Sequence, residues 1–224
     1  QPGKRTIQGK ITEAIEKLLG CEVKVSGASR TDAGVSALGQ AAVIQIDSPV
    51  PTGNLAKAIT DRLPADIAVT EAVEVPRNFD VTASVKSKLY RYTIHTGTDR
   101  PVMQIRNLWH LPTELDVDAM NKAATFLIGK KDFKSFASAG DKRENSVRKI
   151  FQCKVSSENN RIYIDVEGNA FLYNMVRNIV GTLVEVGAGR MKPEKIKQIL
   201  EAKDRTAAGP LAPAQGLCLI WIKY

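Results

Sequence analysis

At 224 residues, with 43% hydrophobic and 25% charged side chains, the chain can bury one substantial core or two modest ones, which excludes an intrinsically disordered protein. A formal net charge of +8 points to an anionic partner, nucleic acid first, because a basic surface attracts polyanions at long range and releases their counterions. The three cysteines, Cys21, Cys153 and Cys218, form no CxxC pair; this excludes a disulfide framework or a zinc ribbon and fits a reducing, cytoplasmic setting.

No run is long and apolar enough to cross a bilayer, the best candidate being broken by Arg177, and the opening QPGKRTIQGK lacks a signal-peptide core. The chain therefore reads as soluble, with no membrane partner. Its start at Gln rather than Met reads as a processed or trimmed product.

In chain order, Ile7, Ile11, Ile15 and Leu18 recur at helical spacing and predict a helix over 6–19, stopped by Gly20. Alternation predicts a strand at 21–25, and LGQAAVIQID at 38–47 predicts another, with SGASRTDAGVSALGQ as the loop between them. A second helix is expected over 52–63, ended by Pro64, followed by strands at 67–75 and 84–96. GTDRPV at 97–102 is the most turn-rich break in mid-chain and sets the expected boundary between subdomains 1–96 and 97–224.

The second half begins with a short NLWHL strand and a helix over 116–129, with Asp116 as N-cap and Gly129 as its stop. Two strands, 147–157 and 161–168, flank the turn residues Glu158, Asn159 and Asn160 as a hairpin. A long helix from 170 to 186, a shorter one opened by Pro193 and a final LCLIWI strand complete the chain. Strands linked by hairpins and mixed with helices predict an α+β fold with a mainly antiparallel mixed sheet, not a doubly wound parallel one. Neither GxGxxG nor a phosphate-cradling loop is present.

Three features carry chemistry. Asp32 lies between Thr31 and Ala33-Gly34, small residues that let a bulky ligand approach; an isolated DAG tripeptide is usually just a turn, but Arg30 stands two positions away. Arg177 is the only charged residue between Glu167 and Glu185, on the margin of a buried face formed by positions 172, 175, 176, 179, 180 and 183. A guanidinium cannot shed its charge, so it either snorkels to water or pairs with a carboxylate or phosphate, and Asp32 is the candidate partner.

The third feature is SKLYRYTIH, in which Tyr90 and Tyr92 alternate with Arg91, so both rings face one side of a strand and the arginine the other. A core-facing pair is the simpler reading; an aromatic beside Lys88 and Arg91 can also stack on an unpaired base while the cations hold phosphates. The basic stretch 129–149, with Phe133 and Phe136 interleaved, is a solvated loop or part of an RNA footprint. His95 and His110 have no metal-ligand spacing and read as structural or surface residues. A hydrolase of the aspartic type requires a second similar Asp loop, and a glycoside hydrolase a second carboxylate across a cleft; the sequence offers neither.

GASRTDAGVSALGQ, SKLYRYTI, DFKSFASAG followed by SVRKI, GNAFLYNMVRNIVGTLVEVGAGR and APAQGLCLIWI occur in this order along nearly the whole chain. With these motifs the chain resembles the tRNA pseudouridine synthase A family. The resemblance implies a pseudouridine synthase fold of two α+β subdomains around a basic cleft. It also implies an isomerase that converts uridine to pseudouridine in the tRNA anticodon arm, just 3′ of the anticodon, as a homodimer with no cofactor and no metal. By motif, Asp32 is then the catalytic aspartate, Tyr90 the tyrosine that packs on the target base, and Arg177 the arginine paired with the aspartate. Arg30, Thr31, Lys88 and Arg91 become substrate contacts, Arg30 to the RNA backbone.

The sequence departs from the family pattern at Ser29 and Ser36, where Gly and His are usual, and it opens at the QP that normally follows a first strand. The rival from another class is a non-catalytic tRNA-binding module on the same scaffold.

Overall fold

The computed structural model describes residues 4–141 and 143–224. Its contacts gather into two compact units, Gln1–Arg30 with Ala41–Ser84, and Thr31–Gln40 with Val85–Tyr224. This differs from a division at 96/97. The strand Ser87–His95 is hydrogen-bonded along both edges inside the second unit, and Ser36–Ala37 pair with the last strand of that unit, so both segments go with it.

In the first unit, helix α1 (Ile7–Leu19) is capped by Thr6, whose hydroxyl accepts the Gly9 N–H, and ends at Gly20 in the left-handed region, φ 71°. Its Ala14 and Ile15 pack with Val25 and with Ile59 of α2 (Thr52–Thr60), which stops short of the expected Leu63. Three two-residue strands follow α1 in the chain: β1 (Ser26–Gly27), β2 (Ser36–Ala37) and β3 (Ala42–Val43). β1 and β3 pair antiparallel, and that is the whole of this unit's ladder among the described residues. The strands expected at 21–25 and 67–75, and most of 38–47, are not in a ladder. Alternation chooses which side chains face inward, but a strand also needs a neighbour to accept its N–H groups.

The second unit is built on one seven-stranded sheet. In chain order it contains β4 (Ser87–His95), β5 (Trp109–His110), α3 (Val117–Thr125), β6 (Gly129–Asp132), β7 (Val147–Glu158), β8 (Arg161–Gly168), α4 (Met175–Gly187), α5 (Lys195–Ala202) and β9 (Leu217–Lys223). The strand order is β2-β9-β4-β8-β7-β6, with β5 also against β4. Only β2–β9 and β4–β5 run parallel, so the sheet is mixed and mostly antiparallel and the fold is α+β. Asn159 and Asn160, at φ 47° and 59°, make the two-residue turn of the β7–β8 hairpin, where asparagine tolerates the left-handed region best among residues with a side chain.

Two helices differ from expectation at their ends. Asp116 caps α3 as expected, but i→i+3 bonds from Phe126 to Ile128 end the helix at Thr125, and Gly129, at φ 105°, opens β6 instead. α4 starts at Met175 rather than at 170 because Asn174 holds φ 59°. α4 is the central helix: Met175, Val176, Ile179, Val180, Leu183 and Val184 are all buried in a core shared with Tyr92, Ile94, Ile164 and Leu219 of the sheet.

At Gly181 the chain segment 209–212 crosses directly over α4. A Cβ there would lie 1.7 Å from the Pro210 carbonyl oxygen, and Gly209 N–H donates to Thr182 Oγ1 at 2.9 Å. Gly181→Ala must push this backbone away, and it is expected to cost about 1–3 kcal/mol. In a chain of this length that lowers the thermal midpoint by roughly 2–4 °C per kcal/mol. An unchanged midpoint in calorimetry would contradict the packing described.

Candidate active site

Asp32 sits at the start of a tight turn in which its carbonyl accepts the Val35 N–H at 3.1 Å. Gly34, at φ 85°, supplies the positive dihedral that the third position of such a turn requires, and a side chain there would also crowd Ala214. The turn runs directly into β2, whose Ser36 and Ala37 pair with Cys218 and Leu219 of β9. On the other edge of β9, Leu219 pairs with Tyr90 of β4. One strand thus links the Asp32 turn to the strand carrying Tyr90.

Arg177 comes from the first turns of α4. Its Nη1 lies 3.6 Å from Asp32 Oδ2, with 13% of the arginine side chain and 35% of the aspartate side chain exposed. That separation exceeds a hydrogen bond, so charge attraction holds the pair. The well-formed bonds of the guanidinium go elsewhere: Nε–H donates to the Ala212 carbonyl at 2.8 Å and Nη1–H to Asn174 Oδ1 at 3.0 Å. Ala212 is in place because the 209–212 segment is pinned on α4, its own N–H reaching the Arg177 carbonyl at 3.3 Å.

Tyr90 is 7% exposed and meets Phe171 edge-on, ring centroids 5.2 Å apart. Tyr92, on the same face of β4, is fully buried and donates its hydroxyl to the Pro213 carbonyl at 2.7 Å; burial pushes its pKa well above the ordinary value, offset in part by the Arg177 charge. Lys88 shares the face of Tyr90 and is partly buried. Burial, and then repulsion from Arg143, lowers its pKa.

Arg91 is not part of this group. It projects from the opposite face, forked onto Asp165 by two 2.7 Å bonds and stacked over Tyr163. Thr31 is exposed one residue before Asp32, and Arg30 is exposed as the last residue of the first unit's opening segment. Phe133 and Phe136 are wholly buried, so the aromatic part of the 129–149 stretch belongs to the core and only its cations remain for a footprint.

Several contributors were not singled out from the sequence. Arg143 donates to the Phe171 carbonyl at 2.6 Å and so ties the basic loop to the ring beside Tyr90. Asp141, with 4% of its side chain exposed, accepts the Tyr173 N–H at 2.6 Å and the Arg143 N–H at 3.0 Å. Asn174 stands three residues before Arg177, the helical spacing that lets two side chains meet, which was the available signal. Among the described residues no group of three or more His, Cys, Asp or Glu side chains is placed to hold a metal ion.

The Asp141 arrangement sets an acid dependence. Burial alone would raise its pKa, but the two N–H donors and the charges of Arg143 and Arg148 more than offset this and hold it below the ordinary carboxylate range. A depressed folded-state value makes the unfolded chain the better proton binder. Its contribution to stability is therefore in place above the unfolded value of about 4 and is lost as pH falls through the folded one. Asp141→Asn is expected to flatten that acid limb in urea midpoints taken between about pH 5 and pH 3; parallel limbs would contradict it.

Comparison with known proteins adds the family. A family model described as tRNA pseudouridine synthase matches residues 1–82 and 123–224, which include Asp32 and Arg177 but not Tyr90. A tRNA pseudouridine synthase A of Caldicellulosiruptor bescii is 44% identical over 224 residues, covering 100% of this chain and 92% of that protein. Proteins of the same name from Moorella thermoacetica and Thermotoga neapolitana are 45% and 43% identical, over 98% and 97% of this chain and 89% of each relative. With an ordered match across both compact units, the chain belongs to the tRNA pseudouridine synthase family.

Proposed function

We propose that this chain is an isomerase that converts uridine to pseudouridine in tRNA, with Asp32 as its catalytic aspartate. The observation that carries the catalytic assignment is the one-third exposed Asp32 carboxylate, set on a glycine turn beside a guanidinium that is itself oriented by two neutral acceptors. Mere RNA binding does not require that arrangement. The anticodon arm as target and a homodimer rest on the family resemblance, and a cytoplasmic setting on the unpaired cysteines of the sequence.

The target uridine must leave its stack, a cost of a few kcal/mol that contacts in the pocket offset. The C1′–N1 bond breaks, N1 gains a proton, the uracil turns, C1′ bonds to C5 and the C5 proton leaves. No electrons enter or leave, so acid–base and nucleophilic side chains suffice for the balance. Asp32 acts by attack at C1′, by attack on the base, or by removing the C2′ proton to give a glycal, and each course needs an ionised carboxylate oxygen. Arg177 engages one oxygen and leaves the other for the sugar. Tyr90 confines the detached uracil and relays the C5 proton. Lys88, Thr31 and Arg30 hold backbone phosphates, with Arg143 added from the basic loop; Arg91 serves instead as a surface ion pair with Asp165.

The test is a tRNA transcript bearing tritium on C5 of uridine. The reading expects release of tritium by the chain alone. Tight tRNA binding without release would establish the non-catalytic module in its place.

A further inference from the structure

The Arg177 guanidinium makes its two short hydrogen bonds to neutral acceptors and leaves Asp32 at 3.6 Å. An arginine free to choose would close onto the carboxylate as a bidentate fork, as Arg91 does on Asp165 and Arg190 on Glu185 in this same unit. The Ala212 carbonyl holds Nε, and the acceptor on Nη1, the nitrogen that faces Asp32, is Asn174. It occupies the left-handed region at φ 59°, which places its side chain under Arg177 one helical turn later. Its amide orientation is fixed chemically: Arg177 can only donate, so Oδ1 faces Nη1, and Nδ2 then donates to Ser138 Oγ at 3.0 Å.

Ser138 is in turn anchored by backbone, its N–H on the Tyr173 carbonyl at 3.1 Å and its carbonyl accepting the Asp141 N–H at 2.9 Å. The chain of contacts therefore runs from Ser138 through Asn174 to Arg177.

We infer that Asn174 is a positioning residue for the reaction: by holding the guanidinium between its own amide oxygen and the Ala212 carbonyl, it keeps Asp32 paired by charge while leaving a carboxylate oxygen open to the substrate. This rests on the catalytic reading of Asp32. Without the amide, the guanidinium closes onto Asp32 and occupies the oxygens that the sugar needs.

The test uses Asn174→Gly, which tolerates the left-handed backbone and removes the amide with its methylene. Single-turnover tritium release is expected to fall about 10- to 100-fold, the worth of a hydrogen bond to a charged group, with tRNA Kd within about twofold. The same substitution in an Arg177→Lys background is expected to cost less than about threefold, because the group it acts through has changed. Equal losses in both backgrounds, a loss confined to Kd, or turnover equal to wild type would each overturn the role.

Ser138→Ala, which leaves the backbone anchor intact, is expected to show a smaller loss of the same kind; a Kd effect alone would count against the relay. If the unsubstituted chain releases no tritium, the catalytic reading itself fails. If it does and Asn174→Gly matches it, only the positioning role falls.

Discussion

Asp32→Asn is expected to lower pseudouridine formation by at least about ten-thousandfold while tRNA binding changes by less than about threefold. The substitution keeps the size of the side chain and its place on the Asp32–Val35 turn, so β2 and its pairing with β9 are not disturbed. What it removes is the negative oxygen. A neutral amide neither attacks C1′ or the base nor takes a proton from C2′, so every course stops. Because the carboxylate is only partly buried, the fold bears little of the change, and the thermal midpoint is expected to stay within a few degrees. Comparable turnover by the Asn variant, measured as tritium release under single-turnover conditions, would remove Asp32 from the reaction.

The second large effect is at Arg177. Arg177→Met keeps the stem of the side chain against α4 but loses the bonds to Ala212 and Asn174 along with the charge facing Asp32. Activity is expected to fall by about 10²- to 10³-fold, the scale seen when a fixed electrostatic partner is withdrawn from a reacting group. Arg177→Lys is expected to retain more, about 10- to 100-fold below wild type, because an ammonium restores charge but cannot reach both acceptors in the geometry of the planar fork. If Arg177→Met has the pH–rate profile and turnover of wild type, the guanidinium is only a packing element of α4.

The features that were legible in the sequence are those set by local chemistry. The helical spacing of Ile7, Ile11, Ile15 and Leu18 and the stop at Gly20 locate α1, and the Asn159-Asn160 turn locates the β7–β8 hairpin. Arg177 stood out because a lone guanidinium on an apolar helix must find a partner, and Asp32 because small residues surround it. Alternation in β4 correctly put Tyr90 and Tyr92 on one face and Arg91 on the other, yet it could not say that Asp165 would occupy Arg91.

Non-local pairing was not legible. Residues 21–25 and 67–75 alternate like strands without a ladder, whereas Ser36–Ala37, inside what read as a loop, become a strand because β9, almost two hundred residues later, offers an edge. The acceptors of Arg177 are equally hidden. One is a carbonyl 35 residues away, fixed by the close crossing at Gly181, and the other depends on the left-handed backbone of Asn174.

The most direct test is mass mapping of pseudouridine, after cyanoethylation, in an unmodified tRNA transcript incubated with the chain or with its Asp32→Asn variant. The unsubstituted chain is expected to give a cyanoethylated pseudouridine in the anticodon arm, and the variant none. An unmodified transcript in both cases, despite demonstrated tRNA binding, or the same modified position in both, would contradict it.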